Sequence, residues 1–158
     1  MTDWGVHELD IALYAINAGA PKSILASGGK FAYPDDASET PDTLQTVYEF
    51  ENFNLLWGNY GSTEGIAFIG NNGTLVVNRG GWKVVPERER QNDQWIDKTP
   101  EVSWKDREGN ALDNHAKNFV DTIRNNTATE LKCNIEAGAR AAITAHMGNI
   151  AFKTGNKI

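Results

Sequence analysis

Near the start of the chain apolar residues return every three or four positions. Val6, Leu9, Leu13 and Ile16 form a one-sided stripe, which predicts a helix over residues 3–18 with Thr2 as N-cap and Gly19 and Pro21 as the stop. The period then shortens to two. Residues 23–27 read as a short strand ended by Gly28-Gly29, and residues 33–41, rich in Asp and Pro, read as a loop. Over residues 43–50, Leu44, Thr46, Tyr48 and Phe50 share one strand face. A turn at Glu51-Asn52 leads into residues 53–60 as the antiparallel partner. Turns at Gly70-Asn71-Asn72-Gly73 and Gly80-Gly81 link strands at 65–69, 74–78 and 82–86 into a meander. Residues 87–113 are charged and weakly patterned, predicting a long loop with one edge strand near Val102-Ser103-Trp104. Helical spacing returns twice. One helix runs from a cap at Asp113 or Asn114 to about Asn125, with Phe119, Val120 and Ile123 inward. The other is capped by Asn134 and closed by Gly155, and buries Ile135, Ala139, Ala142, Ile143, Met147, Ile150 and Ala151.

A helix, a run of antiparallel strands and two more helices predict an α+β fold: an open, mostly antiparallel sheet with helices packed on one face. At 158 residues the chain is expected to form a single domain over 1–158. Its 40% hydrophobic and 23% charged residues are ordinary for a globular protein. The net charge of −6 argues against nucleic acid or an anionic membrane as partner. One cysteine, Cys133, excludes a disulfide framework and a multi-thiolate metal site, and is expected to be a small buried hydrophobe. No apolar run reaches the ~18–20 residues of a membrane span. No secretory leader opens the chain, so cytoplasm is the default compartment, with the periplasm open if an export signal lies upstream.

Chemistry concentrates on the first helix. At ~100° per residue, Asp3, His7, Asp10 and Tyr14 fall in one narrow stripe, read as lying beside the apolar one. An imidazole between carboxylates one turn away on each side suits proton transfer, and Trp4 stands ready to flank a ligand. The same spacing also fits residues that merely border a packed face. His115 and His146 lie on other helices with no ligand pair at i, i+4, so no metal is expected. The glycine pairs follow or join strands and none forms G-x-G-x-x-G, so no cofactor cradle is expected in this chain. With Trp57, Trp82, Tyr48, Phe50, Tyr60 and Phe68 one sheet face is expected to be strongly apolar, and an uncovered face invites a second copy.

Asp3-Trp4-Gly5-Val6-His7-Glu8-Leu9-Asp10 resembles the D-x-G-x-H-x-x-D signature of the Gfo/Idh/MocA family of NAD(P)-dependent sugar and polyol oxidoreductases. Residues 68–75 resemble its G-x-x-G-x-L hairpin, residues 115–123 its late helix, and Glu136 onward its last. The resemblance spans this chain but only the second half of a family member. It implies a C-terminal domain like that of glyceraldehyde-3-phosphate dehydrogenase-like oxidoreductases, with an N-terminal Rossmann domain upstream. It further implies His7 as acid/base and Asp3 as its catalytic partner, with Asp10, Trp4 and Tyr14 toward a sugar or polyol. NAD or NADP would be bound only in the full-length enzyme, because the Rossmann half supplies the E-K-P lysine and the glycine fingerprint. Homodimers or higher homo-oligomers would form through the sheet face. On this view the abrupt start at Met1-Thr2-Asp3 marks a cut, and the isolated chain is inactive. The alternative is a non-catalytic module that associates through its sheet.

Overall fold

The computed structural model describes residues 2–58 and 65–158. It is α+β, with open antiparallel sheets and three helices. The chain divides into two compact units: Met1–Ser62 with Cys133–Ile158, and Thr63–Lys132.

In the first unit, β1 (Ser23–Gly29), β2 (Thr43–Glu49) and β3 (Asn54–Gly58) form an antiparallel sheet in the order β1-β2-β3. The expected alternation holds, since Leu44, Thr46, Tyr48 and Phe50 are all buried. Gly28 and Gly29 belong to β1 rather than to a turn. A Cβ on Gly28 would come within 2.1 Å of the Thr43 carbonyl oxygen, so the strand pair needs glycine there. The core joins Leu9 and Leu13 of α1 (Trp4–Ile16) to Ile24, Tyr48 and Ala145. The expected N-cap at Thr2 and stop at Gly19 both move inward. Asp3 occupies the cap position, and Asn17 ends the helix at φ 51°, a left-handed conformation that asparagine tolerates.

The last helix (Ile135–Thr154) starts and stops as expected, with Asn134 Oδ1 accepting from the Ala137 N–H and Gly155 at φ 66°. Its buried face differs from the expectation. Ala141, Thr144, Ala145, Gly148 and Ala151 are buried, while Ile135, Ile143 and Ile150 are exposed. This helix packs on both α1 and β1, and so close a seat selects small side chains over branched ones.

In the second unit, β4 (Ile66–Ile69), β5 (Gly73–Asn78), β6 (Gly81–Pro86) and β9 (Val102–Lys105) form a sheet in that order. Between β6 and β9 lies a hairpin, β7 (Arg88–Gln91) and β8 (Gln94–Asp97), where a loop was expected. Asn92 and Asp93, both at positive φ, make its two-residue turn. The register places Ile66, Val77, Trp82 and Trp104 in one row and Phe68, Leu75, Val84 and Val102 in another on the same face. None of these eight side chains is fully buried. The aromatic residues expected on one face are therefore divided. Tyr48 and Trp57 belong to the first sheet, with Phe50 directly after β2, Phe68 and Trp82 belong to the second, and Tyr60 lies outside the described residues. The helix α2 (Ala111–Asn125) begins after Asn110, earlier than expected, and Phe119, Val120 and Ile123 are exposed rather than inward. Numbering α1, α2 and α3 in chain order, α3 is the last helix.

Candidate functional site

The first turn of α1 is fixed from below. Gly5 is buried, and a Cβ there would stand 2.9 Å from Cε2 and Nε1 of Trp57. The Trp57 indole thus lies directly against the helix backbone. Its Nε1–H donates to Glu8 Oε2 at 2.9 Å, which ties the next turn to β3. Gly5 and Glu8 belong to the octapeptide, and their contact with the sheet is a structural role that spacing alone did not reveal.

The same turn projects the candidate residues away from the core. Asp3 is exposed at the N-cap position and its side chain makes no capping bond. Trp4 is 66% exposed and meets His7 edge-on, with ring centroids 6.3 Å apart and planes at 67°. His7 is exposed, Asp10 half-buried, and Tyr14 exposed. The buried face of α1 is Gly5, Leu9, Ala12 and Leu13. At ~100° per residue its centre lies about 145° from that of the Asp3–His7–Asp10–Tyr14 stripe, so the polar stripe is nearly opposite the packed face rather than beside it. Among the described residues no hydrogen bond or ion pair joins His7 to Asp3 or Asp10. The candidate residues form a row along the outer side of α1. Cys133 is exposed rather than buried. His115 and His146 are exposed on α2 and α3. Among the described residues no three His, Cys, Asp or Glu side chains cluster as for a metal ion. No helix among them is long and apolar enough to cross a membrane.

A loop over residues 30–42 stands at the same end of the first sheet. Trp57 pairs across the sheet with Thr46, and Thr46 with Ala26. β1 ends three residues later at Gly29. The loop is shaped by Asp42, whose Oδ1 accepts from Phe31 N–H at 3.0 Å and Oδ2 from the N–H groups of Ala32 and Tyr33 at 3.0 and 2.8 Å. The Tyr33 and Phe31 amides are the main reason its carboxyl is held below the ordinary 3.8. A hollow of about 80 Å³ opens beside Lys30, Tyr33, Asp36 and Asp42. A larger one, about 360 Å³, is lined by Phe119, Ile123 and Leu131 with their neighbours and includes no residue of α1.

Solved structures share this architecture, two of them as follows. The "putative oxidoreductase yvaA from Bacillus subtilis" superposes with a TM-score of 0.63 at 16% identity, over 99% of this chain and 51% of its own. The "YPO2259 putative oxidoreductase from Yersinia pestis" gives 0.60 at 12% identity, over 98% of this chain and 48% of its own. The chain therefore spans about half the length of each and has the fold of that half. No family model matches its sequence, and no curated protein does.

Proposed function

We propose that this chain is the substrate-binding and oligomerisation half of a sugar or polyol dehydrogenase of the Gfo/Idh/MocA type. The observation that supports it most is the first turn of α1, held against Trp57 through Gly5 and Glu8 so that Asp3, Trp4 and His7 face outward together.

His7 is the acid/base. Its neutral imidazole takes the proton of a substrate hydroxyl as the carbon bearing that hydroxyl loses hydride and becomes a carbonyl. In reduction the proton returns the same way. Asp3, one turn away, holds the substrate or the ring in place. Trp4 offers an apolar face to the sugar ring, while Asp10 and Tyr14 extend the row along the helix as hydroxyl partners. The glycine pairs of this chain follow or join strands, and none forms G-x-G-x-x-G. On the family resemblance the cofactor belongs to a companion domain, where NAD or NADP would accept the hydride when bound.

His7→Ala in the complete enzyme should lower turnover by about 10²–10⁴, with cofactor affinity changed far less. Steady-state kinetics with a fluorescence titration of NADH and NADPH separates the two effects. Turnover that survives the substitution would remove His7 from the mechanism. A second reading, association through the sheet, draws on the eight-residue apolar face of β4-β5-β6-β9.

A further inference from the structure

The apolar side of α2 is left open. At ~100° per residue, Leu112, Ala116, Phe119, Val120 and Ile123 fall within an arc of about 100° that holds no charged residue. All five are exposed, Leu112 at 78% and Ile123 at 64%. The neighbouring chain meets the helix on a different side. There Asn118 donates to the Glu130 carbonyl and accepts from the Lys132 N–H, both at 3.0 Å, and Thr122 is buried. Where that packing ends, the hollow of about 360 Å³ opens beside Phe119, Ile123, Asn126 and Leu131.

Charge flanks this stripe unequally. One flank holds Asp113, Lys117, Asp121 and Arg124, negative and positive in turn along the helix, whereas the other holds His115. Two helices paired antiparallel across a twofold axis bring like flanks together in reversed order. Read backwards, the order of these four charges is its own complement. A parallel pair would instead set the four against the His115 flank, which has no carboxylate, ammonium or guanidinium to answer them.

We infer that α2 is a docking surface for α2 of a second copy of this chain, antiparallel about a twofold axis beside Phe119. In that register Lys117 faces the second copy's Asp121, and Asp113 meets its Arg124 to within one residue. Phe119 meets its own symmetry mate. Leu112 comes level with the second copy's Asn126, so the hollow beside Asn126 is the socket for a leucine, once on each side of the axis. Lys117 and Asp121 already pair within the helix, so docking joins two such pairs into a ring of four alternating charges. The contact uses no residue of α1 and none of the β4-β5-β6-β9 face, and it stands or falls separately from the acid/base reading.

Disulfide trapping tests both the contact and its register. With Cys133→Ser removing the native thiol, Phe119→Cys should give a covalent dimer under mild oxidation, because residues on the axis of a helix pair approach to within about 7 Å. Leu112→Cys in the same background should not, since the two copies of residue 112 stand roughly 20 Å apart along the pair. Adding either Lys117→Asp or Asp121→Lys to the Phe119→Cys chain sets like charges face to face and should cut trapping about fivefold. An equimolar mixture of those two chains should recover it, because the unlike pair regains both contacts. Both charge variants lose the same ion pair within the helix, so recovery on mixing does not come from helix stability. Absence of trapping through residue 119 overturns the inference, as does equal trapping through residues 112 and 119. So do charge variants that trap as well as their parent, or a mixture no better than its components.

Discussion

At Gly5 a methyl group would stand 2.9 Å from the Trp57 ring, whose own Nε1–H is committed to Glu8. The indole can yield only by lengthening that bond or by lifting the first turn of α1. Gly5→Ala should therefore destabilise the chain by about 1–3 kcal/mol, as overpacking does. Thermal unfolding checks this, and an unchanged Tm would show that the contact is slack. The ~100° spacing puts Asp3, His7, Asp10 and Tyr14 on one stripe, with Asp3 at the N-cap position and the other three within α1. It did not reveal Trp57 as the partner of Gly5 and Glu8. That contact joins residues 49 apart in sequence, and no local period carries such information.

Elements were legible where side-chain size and polarity alternate strongly. The inward face of β2 and both caps of α3 follow directly from that pattern and from asparagine and glycine chemistry. On α3 the expected stripe holds for Ala151 and Met147 and fails for Ile135, Ile143 and Ile150, because hydropathy favours Ile over Ala while close helix packing favours the reverse. The β7-β8 hairpin was hidden by its composition. Arg88, Glu89, Arg90 and Gln91 do not alternate, and only Asn92-Asp93 at the turn gives a signal. The loop over residues 30–42 makes its own prediction. Asp42 has a folded pKa below 3.8, so its contribution to stability is complete above that value and disappears as pH falls through the folded one. Asp42→Asn should be less stable than the parent at pH 6 and lose less between about pH 4 and pH 2. Denaturant midpoints at several pH values read this directly, and parallel acid limbs for the two proteins would exclude Asp42 as the source.

For the whole molecule, the two sheets leave different amounts of apolar surface uncovered. The first is covered by α1 and α3 on one side, whereas the face holding Trp82 and Trp104 has no buried side chain in either of its two rows. If that face joins copies of the chain, light scattering should report a dimer or larger species at high micromolar concentration. Trp104→Asp should then shift it toward monomer by placing a charge in the apolar row. A parent protein that is monomeric there would end the proposal. The α+β class was legible from the order of elements alone. The division into two compact units was not, because a continuous meander of short strands gives no sign of where one sheet stops and the next begins.

The three amides gathered on Asp42 have a consequence for recognition. Consecutive N–H groups turned toward one point form a natural grip for a phosphate, and here the chain fills that grip with its own carboxylate. The three N–H groups are thereby satisfied within the chain itself, and the carboxylate fixes the path of the loop from residue 31 to residue 42.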